Sequence, residues 1–148
     1  MTATAHALIG GAIAASTTAN PALGLTLSAL SHPIVDLIPH WDFAIGWRKK
    51  TKVTLFIQSL ADLIIGVGLA FLLFGSSTNP IYLLLCILMS EFWDLMMMPY
   101  LLFNWKFPPF SFFYQFGHRT NGKAKMPLGI VTQVATVSGL ILVSRVLH

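Results

Sequence analysis

Charge is scarce in this sequence, and basic charge is missing from its middle. Only 9% of the 148 residues are Asp, Glu, Lys or Arg, against 55% hydrophobic, and the mean hydropathy is +0.74. Soluble domains carry about 25% charged residues, so the composition excludes that class and predicts one integral membrane domain over residues 1–148. Cysteine is nearly absent: a lone Cys86 rules out an intrachain disulfide, argues against a thiolate metal site and suits a small core residue. The first residues lack a basic n-region, so no cleaved signal peptide is expected. No Ser/His/Asp triad pattern and no Gly-rich phosphate loop is found either, which removes two common hydrolytic chemistries. The net charge of +4 comes from Lys and Arg in short loops between apolar runs. That is a topology signal, and no nucleic-acid partner is expected.

What is present is a set of apolar runs of spanning length. Val53 to Phe74, Pro80 to Leu102 and Pro127 to Leu147 each approach or exceed the ~20 residues a bilayer core requires. Ala3 to Thr18 and Ala22 to Ile38 are shorter and are split by Asn20-Pro21, a turn signal with proline placed to open the second helix. The expected fold is therefore all-α: a short N-terminal hairpin plus three spanning helices, about five in total. Arg48, Lys49, Lys50 and Lys52 follow the hairpin, and Arg119, Lys123 and Lys125 precede the last run, while Gly75 to Asn79 has no basic residue. Both basic loops are thus expected to face the cytoplasm, with the protein in the cytoplasmic (inner) membrane. Trp41, Trp47 and Trp105 flank the same boundary, as interfacial aromatics do.

The five acids, Asp36, Asp42, Asp62, Glu91 and Asp94, stand out against this background. Between Lys52 and Lys106 there is no Lys, Arg or His, so Asp62, Glu91 and Asp94 have no basic neighbour within their own segments. Three isolated carboxylates inside spanning helices cost roughly 7–10 kcal/mol on insertion scales, which calls for a cation, a proton or a histidine partner. At ~1.5 Å of rise per residue, Asp62 lies about 15 Å in from Lys52, and Glu91 and Asp94 about 16 and 12 Å in from Leu102. His32, about 12 Å above His40, and Asp36 between them reach the same layer. His6 enters it from the first segment.

The densest motif is His32-Pro-Ile-Val-Asp36-Leu-Ile-Pro-His40-Trp-Asp42. His32 and Asp36, four apart, share one helical face, the spacing by which a helix gives two ligands to one metal. Pro39 ends or kinks the helix, leaving His40 and Asp42 on an irregular exit that can turn back toward the same cation. Glu91 and Asp94, three apart, also share a face. Mixed carboxylates and imidazoles suit Zn, Mn or Fe, with Zn the first expectation.

Taken in order, the N-terminal His-Ala-Leu-Ile-Gly-Gly from His6, the His32-x3-Asp36 motif leading into Leu-Ile-Pro-His-x-Asp, the intramembrane Asp62, the carboxylate pair and the late Gly-His at His118 form a pattern. It resembles the small bacterial and archaeal membrane-bound metal-dependent hydrolases, which are distantly likened to zinc-dependent phospholipase C. The resemblance implies a helical membrane fold with His6, His32, Asp36, His40, Asp42, Asp62, Glu91, Asp94 and His118 as metal-site candidates. This chain reads Ile-Pro-His40-Trp-Asp42 where members often read Leu-Pro-Asp-x-Asp, and its carboxylate pair is less regular, so metal type and number stay open.

Residues 103–117 hold eight aromatics in fifteen positions, broken by Pro108-Pro109. They read either as an interfacial anchor or as a lid that brings His118 to the metal layer. Arg119, Lys123 and Lys125 could pair with a phosphate or an anionic headgroup. The function expected is hydrolysis of an ester or phosphoester, of a lipid, with Glu91 as the base and His118 beside it. Two alternatives stand: a proton- or metal-coupled transporter, for which a homo-oligomer could supply further helices, and a non-catalytic membrane subunit with a structural metal or polar site.

Overall fold

The computed structural model describes residues 1–43 and 45–146. Their secondary structure is all-helical: α1 (Ala3–Ser16), α2 (Pro21–Val35), α3 (Lys52–Phe74), α4 (Pro80–Ser90), α5 (Phe92–Phe103), α6 (Phe110–Thr120) and α7 (Leu128–Val146), with a 3₁₀ turn at Trp47–Lys49 and no strand. α3 and α7 are long and apolar enough to cross a membrane, and α4 with α5 make a third if the pair, bent by 51°, is one span. Leu147, where the sequence puts the end of the last run, lies outside the described residues.

Capping explains where the helices begin. Thr2 and Thr51 accept first-turn N–H groups of α1 and α3 through their hydroxyls. Asn20 and Asn79 do the same for α2 and α4, each followed by a proline at the first helical position, where the missing N–H is not needed. Two departures from five helices follow. The run from Pro80 breaks at Glu91 into α4 and α5, and the aromatic segment beyond Pro108-Pro109 forms the separate helix α6.

α1 is the axis of the bundle, touching α2, α3, α4 and α7. Its small residues make this possible: a Cβ on Gly10 would stand 2.7 Å from the Ser90 hydroxyl and 2.9 Å from the Cys86 carbonyl. Ala7, Ala12 and Ala14 of α1 pack there with Ala70, Phe74, Leu83, Cys86 and Ile87. α6 lies against α5 through aromatic contacts, Phe113 on Phe92 at 5.4 Å and Tyr114 on Tyr100 at 4.0 Å. The loops after α2 and before α7 meet at one end of the bundle, where His40 bridges Lys123. Thr18, Ser77 and Arg145 line one cavity at the other end.

Candidate metal centre

Three histidines from two helices and a loop converge on one carboxylate. His6 Nε2 lies 3.3 Å from Asp36 Oδ1, His32 Nε2 3.4 Å from Asp36 Oδ2, and His40 Nε2 3.7 Å from Asp36 Oδ1. Asp94 stands 3.6 Å from His32 Nε2, and Asp42 3.6 Å from His40 Nε2. The rings of His6 and His32 stack at 3.7 Å, nearly parallel. All three histidines, Asp36 and Asp42 are buried, while Asp94 is partly exposed.

The protein backbone fixes which nitrogen each ring presents. His32 Nδ1 is 2.6 Å from the Ser90 carbonyl, and His40 Nδ1 is 2.8 Å from the Ile38 carbonyl. A carbonyl only accepts, so each Nδ1 carries the hydrogen and each neutral ring turns a bare Nε2 lone pair inward. Those lone pairs face carboxylate oxygens, which are acceptors too. Among the described residues, both nitrogens of His6, Nε2 of His32 and His40, Oδ1 of Asp42 and Oε1 of Glu91 have no hydrogen-bond partner. Buried polar atoms are nearly always partnered, so this cluster of unpartnered imidazole and carboxylate atoms suits a cation. Protons on both stacked rings would set like charges face to face, which disfavours charging the pair. Donor atoms of His6, His32 and Asp36 lie within 4.8 Å of one another, close enough to share an ion. Imidazole with carboxylate is the donor set of Zn, Mn or Fe. A positive group already sits at this point, since the Met1 amino group lies against Asp36 Oδ1.

The loop carrying His40 is held by a strap that the sequence did not reveal. Gly122 N–H donates to the Asp36 carbonyl at 2.7 Å, His40 N–H to the Gly122 carbonyl at 2.7 Å, and Ala124 N–H to the His40 carbonyl at 2.8 Å. The Thr132 hydroxyl donates to the Pro39 carbonyl. A Cβ on Gly122 would come within 2.6 Å of the Leu37 carbonyl oxygen, so glycine is what lets the strap close.

The other acids divide by role. All five line one cavity of about 240 Å³ between α3 and α5, and among the described residues no Lys or Arg does. Asp62 is already partnered: it accepts the Ala3 N–H at 2.6 Å, the Thr4 N–H at 3.3 Å and the Thr4 hydroxyl at 2.7 Å. It sits at the positive end of α1 and so positions the turn that bears His6. Glu91, at the α4–α5 break, makes no ion pair with the histidines and faces the cavity. His118 is not brought to the centre. It is exposed, stacks on Tyr114 at 5.9 Å and does not line the cavity. Arg119, Lys123 and Lys125 are also exposed, and only the Lys123 backbone approaches the ligand loop. No protein-family model, curated protein or solved structure matches the chain.

Proposed function

We propose that this chain is a membrane-embedded, metal-dependent hydrolase of an ester or phosphoester, of a lipid, with its centre on the cytoplasmic side of the inner membrane. The observation that carries the reading is the convergence of three imidazole nitrogens on Asp36, two of them on rings whose Nδ1–H donates to a backbone carbonyl. His6, His32, His40 and Asp36 would hold the ion, with Asp42 and Asp94 beside them. A divalent ion in such a donor set supplies Lewis acidity that acidifies water and neutralises charge on an ester or phosphoester oxygen. Glu91 is the unligated carboxylate on the cavity wall and takes the proton from the attacking water. Asp62 holds α1, and thereby His6, in register. The membrane placement rests on α3, α7 and the bent α4–α5 pair, and its sidedness on the basic loops.

The test is metal analysis of detergent-purified protein, followed by hydrolysis of a panel of carboxyl and phosphate esters, with cation flux measured in liposomes. Near-stoichiometric zinc, manganese or iron together with metal-dependent hydrolysis supports the reading. Flux without hydrolysis replaces it with a transporter, and bound metal with neither activity makes this a structural site.

A further inference from the structure

The same cavity that holds the acids at one end is apolar along the rest of its length, and it is open on one side. Phe56, Leu60 and Leu63 of α3 form one wall, and Leu95, Met98 and Leu101 of α5 the other. Phe56, Leu60 and Leu95 line the cavity and are also 46%, 42% and 45% exposed on the outer surface. Side chains that face both ways mark an opening between the helices. From Phe56 to Leu63 the wall runs about 10 Å along the helix, ending at the level of Asp62.

The opening follows from the break at Glu91. α5 leaves the direction of α4 by 51°. It is braced by α6, whose Phe113 packs on Phe92 and on Trp93, the latter at 5.0 Å, and by the Trp93 indole N–H, which donates to the Ala29 carbonyl at 2.9 Å. Met98 gives this wall a flexible, polarizable lining of the kind that adapts to varied apolar ligands. α3 is itself long and apolar enough to cross a membrane, so the slot faces lipid tails. An apolar helix from a second chain would fill the slot but would seal the carboxylates against apolar surface, a costly desolvation, whereas an acyl chain fills the apolar length and leaves its polar head at the acids.

We propose that the slot between α3 and α5 is a lateral entrance for the acyl chain of a bilayer lipid. The substrate is then an amphiphile drawn sideways from the membrane, with its tail between Leu60 and Met98 and its ester or phosphoester head beside Glu91 and Asp94. The head placement rests on the hydrolase reading; the tail site does not.

The test uses the full chain in phosphatidylethanolamine–phosphatidylglycerol vesicles containing a trace of phosphatidylcholine with a diazirine midway along one acyl chain. After illumination, adducts are mapped by mass spectrometry. A severalfold excess on residues 56–63 and 95–101 over the outward face of α7 around Val131 and Val143 is expected. Leu60→Trp and Met98→Trp should each remove that excess with metal content unchanged, and Leu72→Trp, farther along α3 on its exposed face, should preserve it. Equal labelling of the slot and α7, indifference to both tryptophans, or a crosslinked second chain in place of lipid would overturn the proposal. In an ester series of increasing chain length, Leu60→Trp should lower kcat/KM for the longest by about tenfold or more and spare the shortest. Slot labelling with no hydrolysis by wild type would sink the hydrolase reading and keep the entrance. Hydrolysis indifferent to chain length, with no slot labelling, would do the reverse.

Discussion

The two ends of α1 both take polar groups wholly or partly out of solvent, and they treat them oppositely. At the C-terminal end the hydroxyls find each other, Ser16 with Ser144 at 2.9 Å and Thr17 with Tyr82 at 2.7 Å. At the N-terminal end, His6 is fully buried with neither ring nitrogen bonded among the described residues, and it stacks on a second histidine whose Nε2 is equally unpartnered there. Buried polarity is therefore no sign of a site by itself. Converging imidazole and carboxylate atoms without partners among the described residues are a stronger sign, because burial desolvates them with no hydrogen bond in return. The same distinction separates Asp36, which faces three imidazole nitrogens and the Met1 amino group, from Asp62, whose oxygens take the first N–H groups of α1.

The comparison breaks most decisively at Asp36 and His32. Asp36→Ala and His32→Ala should each lower zinc affinity by more than the ~10–100-fold typical of losing a partner that merely orients a ligand, while Ser16→Ala at the other end leaves zinc unchanged. Equilibrium metal titration of monodisperse protein checks this, and full zinc affinity in both ligand variants would erase the contrast between the ends. Next is Glu91→Gln, which keeps volume and most of the metal but should reduce hydrolysis roughly 10²–10⁴-fold, the reach of general-base assistance. Metal lost in parallel with activity would instead make Glu91 a ligand.

Two smaller effects concern stability. Gly10→Val forces a side chain against the Ser90 hydroxyl and the Cys86 carbonyl, and thermal unfolding should register a loss of about 1–3 kcal/mol from overpacking. Asp62→Asn weakens the hold on the first turn of α1 and should cost about 0.5–2 kcal/mol, as lost helix caps do, with metal stoichiometry retained. Metal loss in Asp62→Asn would move that residue from the helix end into the coordination shell.

Much of the site was legible because apolar helices leave few ways to arrange a polar residue. The four-residue spacing of His32 and Asp36 follows from helical pitch, and the common depth of Asp62, Glu91 and Asp94 follows from helical rise. Asn-Pro at 20–21 and 79–80 marks two helix starts for reasons local to the backbone. What could not be read depends on contacts distant in sequence. The break at Glu91 has no proline or glycine to announce it; the Ser90 carbonyl there accepts the His32 ring N–H, a partner 58 residues away in the chain. The strap at Gly122 and the capping role of Asp62 are likewise tertiary. His118 carried a motif-like Gly-His context, yet its place on α6 turns it toward Tyr114.

The central claim is that His6, His32 and His40 jointly hold one ion with Asp36, and zinc K-edge X-ray absorption of the zinc-loaded protein tests it most directly. The account predicts a nitrogen and oxygen shell at about 2.0–2.1 Å, with imidazole scattering from three rings that falls to two in His40→Ala. A shell of oxygen alone, or one unchanged by His40→Ala, would contradict it.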